Sequence, residues 1–240
     1  MTGTEQLRTA ITGLVSFAAV AEELLLCVPA AAAEQGGPDC WAAVPLIAHN
    51  TEFKRQQVTR LEAIGRGGTP PEFTEIDHRS AGTYRGYSQQ SAGQVLQASR
   101  AATAALIDGL GVTPDEDLLD PSRNPWLRGR QLWLQTIVRG FWHPMGHIGG
   151  YYVGHGQPAR AAACQAQAVA MAGYLDAPDP ARGMAYYNLA CAQARSQPSD
   201  GALGSLRQAI ELNPDLRANV GRDDDLAVLR ASGQLDTLLA

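Results

Sequence analysis

The sequence predicts an all-α protein, a four-helix bundle followed by a smaller region of shorter helices. Apolar residues recur at helical spacing in four long stretches within residues 1–156. No segment of the 240-residue chain alternates convincingly with the period of two that a half-buried strand requires. Breaker clusters such as GRGGTPPEF and TPDEDLLDPSRNP separate the long stretches, while APDP, SQPSD and LNPD divide the remainder more finely. Long amphipathic helices joined in this way bury their apolar stripes against one another.

The first helix is expected over residues 4–28, with Leu7, Ile11, Leu14, Ala18, Ala21, Leu25 and Val28 on one face and Pro29 as its stop. Its run TAITGLVSFAAVA has the look of a secretory-signal core. Glu5 stands ahead of that run, however, and Glu22 and Glu23 interrupt the apolar residues after it. No uninterrupted apolar run reaches the roughly eighteen residues of a membrane span, so the expectation is a soluble, unprocessed, cytoplasmic chain. The second helix runs from Trp41 to Gly65. A third covers residues 80–110, with Tyr84, Tyr87, Val95, Leu96, Leu106 and Ile107 on its apolar side. The fourth runs from Trp126 to Val153. The boundary between domains is expected after Gly156, giving residues 1–156 and 157–240.

Composition narrows the classes of function. Net charge is −5, from 19 basic and 24 acidic residues, and no basic block occurs. Nucleic acid and anionic membrane are therefore excluded as expected partners, since both favour clustered Lys and Arg. Lys54 is the sole lysine. The cysteines, Cys27, Cys40, Cys164 and Cys191, form no CxxC pair, so the expectation is reduced, mostly buried thiols rather than a zinc knuckle or disulfide framework.

The chemistry concentrates in FWHPMGHIGGYYVGH, residues 141–155, which holds three of the five histidines. On a helix His143 and His147 lie on nearly the same face, one turn apart, and can present two imidazoles to one ion. Pro144 stands where a metalloprotease HExxH motif carries its glutamate, so protease chemistry is not supported. It also removes a backbone donor inside a helix, a defect compatible with a functional site. His49, in the apolar turn VPLIAHNTEF of the second helix, supplies a third ligand if the second and fourth helices face one interior. Three imidazoles leave a fourth tetrahedral position open, as in a catalytic zinc site.

The Trp-containing start of WAAVPLIAHNTEF, its histidine, and the later HPMGH resemble the DinB-like superfamily of metal-binding four-helix bundles. That superfamily includes the mycothiol-dependent maleylpyruvate isomerase N-terminal domain and the bacillithiol transferases. The resemblance covers about residues 4–156. It implies a divalent ion held by His49, His143 and His147, with zinc foremost and nickel, iron or copper also accepted. It further implies transfer of a low-molecular-weight thiol onto a small electrophile, or isomerisation through a thiol adduct. Other members are self-protection hydrolases that open reactive small molecules. Pro144 and the appended C-terminal region depart from the simplest members.

Beyond Gly156, AYYNLACAQARSQPSDGALGSLRQAIELNP resembles one tetratricopeptide repeat. Tyr186, Leu189 and Ala190 take the packing positions of its first helix, Ala202, Leu206 and Ala209 those of its second, and Pro214 its end. Gln193 departs from the pattern, where an aromatic residue is usual. A lone repeat depends on neighbours, so it is expected to pack on the bundle, on a second copy, or on a partner protein.

Glu52, three residues after His49, is the candidate general base or the hydrogen-bond partner of a ligand imidazole, against the alternative of a surface carboxylate paired with Arg55 or Gln56. His155 is expected near a helix end in a capping role, and His78 in a loop. Gly146, Gly149, Gly150 and Gly154 are expected to let another helix approach, with Tyr151 and Tyr152 in the core or a pocket wall. GRGG at 65–68 lacks the strand and lysine of a phosphate loop. The resulting expectation is a divalent-metal-dependent thiol transferase or isomerase. The alternatives are a hydrolase working through metal-activated water, and a non-catalytic adaptor with a structural metal.

Overall fold

The computed structural model describes residues 3–34, 36–37, 40–73, 81–196 and 200–239. Among them the chain is all-α, with no strand and one isolated bridge between Gly37 and Cys40. It packs as two units, Met1–Pro144 and Met145–Ala240.

In the first unit, α1 (Gly3–Leu26) buries Ile11, Leu14, Ala18 and Leu25, as its periodicity predicts. Leu7 and Ala21 are only half-buried, and Val28 lies exposed beyond the helix end. Pro29 opens a short helix, α2 (Pro29–Ala32), because a proline in the first helical position forfeits no hydrogen bond. By length and composition alone α1 is apolar enough to cross a membrane. Here its stripe packs on α5 (Ala92–Val112), and Glu22 faces inward to Lys54.

The single helix expected over residues 80–110 is two, α4 (Ala81–Tyr87) and α5. The break has a local cause. Ser91 Oγ accepts from the Gln94 amide while Gln94 Oε1 accepts from the Ser91 amide at 2.9 Å, a capping box that starts a new helix. Of the expected apolar positions, Tyr84, Val95 and Leu106 are buried, while Tyr87, Leu96 and Ile107 are half-buried.

A short helix, α6 (Asp115–Leu119), follows α5, and the helix expected from Trp126 likewise starts late. Arg128 (φ 53°) and Gly129 (φ 85°) take left-handed backbone, which ends a 3-10 turn at Pro125–Leu127. Beyond it α7 (Leu132–Ile137) passes through a π-helical turn (Val138–Trp142) into α8 (His143–Gly154). The His143 amide donates to the Val138 carbonyl, five residues back. Pro144 therefore follows a turn already widened by one residue, and the helix continues through it. Gly140 in that turn lets neighbouring helices close in. A Cβ there would sit 2.7 Å from Val15 Cγ2 and 2.9 Å from Leu106 Cδ2.

Helix α3 (Ala43–Gly65) packs on α5 and on the π turn. Its Lys54, fully buried, donates to Glu22 Oε2 at 2.5 Å, Ser99 Oγ at 3.1 Å and Thr103 Oγ1 at 3.3 Å. One polar network thereby joins α1, α3 and α5 inside the apolar core.

In the second unit, α10 (Asp179–Ser196) packs on both α9 (Pro158–Tyr174) and α11 (Asp200–Leu212). Leu189, Ala190, Ala202, Leu206 and Ala209 are buried as expected. Tyr187, rather than Tyr186, takes the inward aromatic place; its hydroxyl donates to Asp223 Oδ2 at 2.9 Å. The closing stretch consists of 3-10 turns and the short helices α12 (Arg217–Val220), α13 (Ala227–Ala231) and α14 (Asp236–Leu239). Among the glycines of α8 the close approach falls at Gly149, whose added Cβ would lie 2.8 Å from the Gln165 side chain, while Gly150 faces open space. Tyr151 and Tyr152 are buried. The cysteines are not mostly buried. Only Cys191 is, while Cys27 lies exposed past the end of α1, and Cys40 and Cys164 are half-buried.

Candidate metal centre

Helix α3 and the segment from Trp126 to His143 face each other through one side of α3. Residues 49, 53, 57 and 60 recur at spacings that keep them on a single helical stripe. The stripe meets the opposing stretch in reversed order. His49 Nε2 lies 3.2 Å from His143 Nε2. Phe53 stacks on the His143 ring at 4.1 Å and carries the Arg139 guanidinium over its face at 4.4 Å. Gln57 Nε2 donates to Thr136 Oγ1 at 3.2 Å, and the Arg60 guanidinium lies 5.1 Å over the Trp126 ring.

His147 follows His143 by one turn of the same uninterrupted helix, so its position relative to His143 is set by helical geometry alone. One ring nitrogen from each of His49, His143 and His147 falls in a group whose members all lie within 4.8 Å of one another. His49 is buried, and His143 and His147 are half-buried. The donor set suits a borderline divalent ion. Ligand nitrogens about 2.0–2.1 Å from a tetrahedral centre stand roughly 3.3 Å apart, close to the 3.2 Å between the two Nε2 atoms.

Aromatic rings surround His49. Trp41 lies edge-on at 5.5 Å, Tyr87 at 5.7 Å and Phe53 at 4.7 Å between centroids. Tyr84 extends this wall, 5.5 Å from Trp41. Glu52 is half-buried on α3 and outside the three-histidine group. Its charge does reach Tyr87, whose hydroxyl is pushed up first by burial and then by Glu52. His155 ends α8 as expected, with Nδ1 2.7 Å from the Tyr151 carbonyl and its ring stacked on Tyr151. His78 lies outside the described residues.

A second group, Cys191, Asp223 and Asp225, has ligand-capable atoms within the same 4.8 Å limit. Sequence reading passed over it because 32 residues separate Cys191 from Asp223. The packing of the closing turns on α10 brings them together. Three of its four carboxylate oxygens are already engaged: Tyr187 donates to Asp223 Oδ2, the Asp225 amide to Asp223 Oδ1 at 3.0 Å, and Arg195 to Asp225 Oδ1 at 3.0 Å. Burial, reinforced by Asp223, pushes the Cys191 thiol well above its ordinary range, which favours the protonated form over the thiolate a metal requires. The arrangement reads as a structural tie between α10 and the closing turns.

Arg60 was also missed, although its place eleven residues after His49 puts it on the same helical face. No protein-family model, curated protein or solved structure matches this chain; the all-helical fold and the three-histidine group stand on the residues themselves.

Proposed function

We propose that this chain is a metal-dependent enzyme of the DinB-like type, a four-helix bundle followed over residues 157–240 by a tetratricopeptide-like helical domain. Its activity is the transfer of a low-molecular-weight thiol onto a small electrophile, or isomerisation through a thiol adduct. The observation that carries this reading is the convergence of His49, His143 and His147, with two Nε2 atoms 3.2 Å apart inside an aromatic wall.

His49, His143 and His147 would hold the ion. A divalent ion bound by them supplies Lewis acidity, which favours the deprotonated, nucleophilic form of a thiol. Trp41, Phe53 and Tyr87 exclude water around His49 and offer flat apolar surfaces to an electrophile. Glu52, one turn along α3 from His49, would take the thiol proton on its carboxylate. The polar edge of Tyr87 lies within the field of that carboxylate and orients the substrate.

The test begins with elemental mass spectrometry of tag-free protein, wild type beside His49→Ala and His143→Ala. Near-stoichiometric metal in wild type and its loss from both variants is expected. Wild type that stays empty after incubation with zinc, nickel, iron and copper sinks the metal centre. Metal-loaded protein is then assayed for loss of free thiol in the presence of a test electrophile. Turnover without thiol points to hydrolysis instead. Metal with no turnover, and a melting temperature that falls on its removal, points to a structural ion in an adaptor.

A further inference from the structure

At the other end of the α3 stripe from His49, about 16 Å along the helix axis at 1.5 Å per residue, lies Arg60. The residue is 6% exposed. Its Nε and Nη1 are buried and have no acceptor. Among the described residues no carboxylate pairs with it, and the only influence on its acidity is burial, which pulls it below its ordinary value. A guanidinium stays charged in proteins regardless. The rings of Phe73, at 4.9 Å, and Trp126, at 5.1 Å, receive its face. Its Nε and Nη1 donors, which lie in the guanidinium plane, still lack an oxygen.

Another buried cation of this unit differs in this respect. Lys54 has a carboxylate at 2.5 Å and two hydroxyls. A buried charge with no counter-charge is costly, and buried donors are satisfied with few exceptions. The guanidinium plane matches the two oxygens of a carboxylate. The flanking phenyl and indole rings match a flat, unsaturated body attached to it.

We propose that Arg60, Phe73 and Trp126 form a binding site for a small organic carboxylate on a planar unsaturated or aromatic body, with the Arg60 guanidinium pairing to its carboxylate. The site stands independently of the metal centre.

Isothermal titration with sodium benzoate tests it, with benzamide as the uncharged isostere and inorganic phosphate as the non-planar oxyanion. Each is titrated into the protein as isolated and after chelation of metal, and into Arg60→Lys and Arg60→Gln with the far-UV spectrum as a check of fold. The expected result is saturable benzoate binding to wild type before and after chelation, no benzamide binding, and at least tenfold weaker binding in both variants. Four results overturn the proposal: no benzoate binding by wild type, equal binding of benzamide, undiminished binding by Arg60→Gln, or loss of binding on chelation. Phosphate bound more tightly than benzoate overturns the carboxylate assignment. Failure of the metal centre leaves every arm of this experiment interpretable, because none of them requires bound metal.

Discussion

Lys54 and Glu22 show how one residue pair can dominate a core. Both are essentially unexposed and face each other at 2.5 Å among helices α1, α3 and α5. Removing one partner strands the other charge in a medium that solvates it poorly. Lys54→Met alone is expected to cost about 3–5 kcal/mol in urea unfolding. Glu22→Leu together with Lys54→Met should recover most of that loss; a neutral single variant would show the pair to be more hydrated than its burial implies. At the surface, Arg8 donates to the Thr113 carbonyl at 2.5 Å and to Asp115 Oδ1 at 2.7 Å. The hydrogen bond from Arg8 holds the Asp115 carboxyl below its ordinary 3.8. A depressed folded-state value means that the unfolded chain binds the proton first on acidification. The Asp115 contribution is therefore fully present well above pH 3.8 and is lost as pH falls through the folded value. Arg8→Ala should flatten the acid limb of a stability-versus-pH curve between about pH 5 and pH 2, and an unchanged limb would count against the pairing.

The elements were legible to different depths. Long helices emerged from the 3.6-residue period because burying one stripe is the strongest local demand on these segments. The capping box that begins α5 was written in SAGQ, Ser91 to Gln94, yet the apolar period runs on either side of it and masked the break. The π turn at Val138–Trp142 was not legible, since it is a one-residue widening that periodicity averages away. Pro144 hinted at irregular backbone there without revealing its form. The histidine stripe was legible as a set of spacings, and its Arg60 end could have been found by the same counting. The Cys191 group could not, because its members meet only through the docking of the closing turns. At this scale Gly140 carries a testable load. An added methyl would meet Val15 and Leu106 side chains below 3.0 Å, so Gly140→Ala should destabilise by about 1–3 kcal/mol in thermal or urea unfolding. A stabilised variant would mean that the helices can part without loss.

At the level of the whole molecule the chain divides between Pro144 and Met145, inside one continuous helix, ahead of the change of sequence character at Gly156. The sequence changes where breakers become frequent, whereas packing changes where α8 begins to meet α9, through Gln165 Nε2 donating to the Met145 carbonyl at 2.6 Å. His143 and His147 stand on either side of that division yet share a helix, so their spacing is held by backbone hydrogen bonds rather than by the packing of either unit.

The burial of Lys54 has a consequence for amine chemistry. It is the only lysine of 240 residues and its side chain is unexposed. Apart from the amino terminus, the folded chain then offers no amine to an acylating dye, a bis-amine cross-linker or a ubiquitin-transferring enzyme. Intact-mass spectrometry of tag-free protein labelled with an N-hydroxysuccinimide ester should show one adduct more in denaturant than under native conditions. The appearance of that further adduct would time the opening of the first unit's interior, making the lysine a built-in clock for its unfolding.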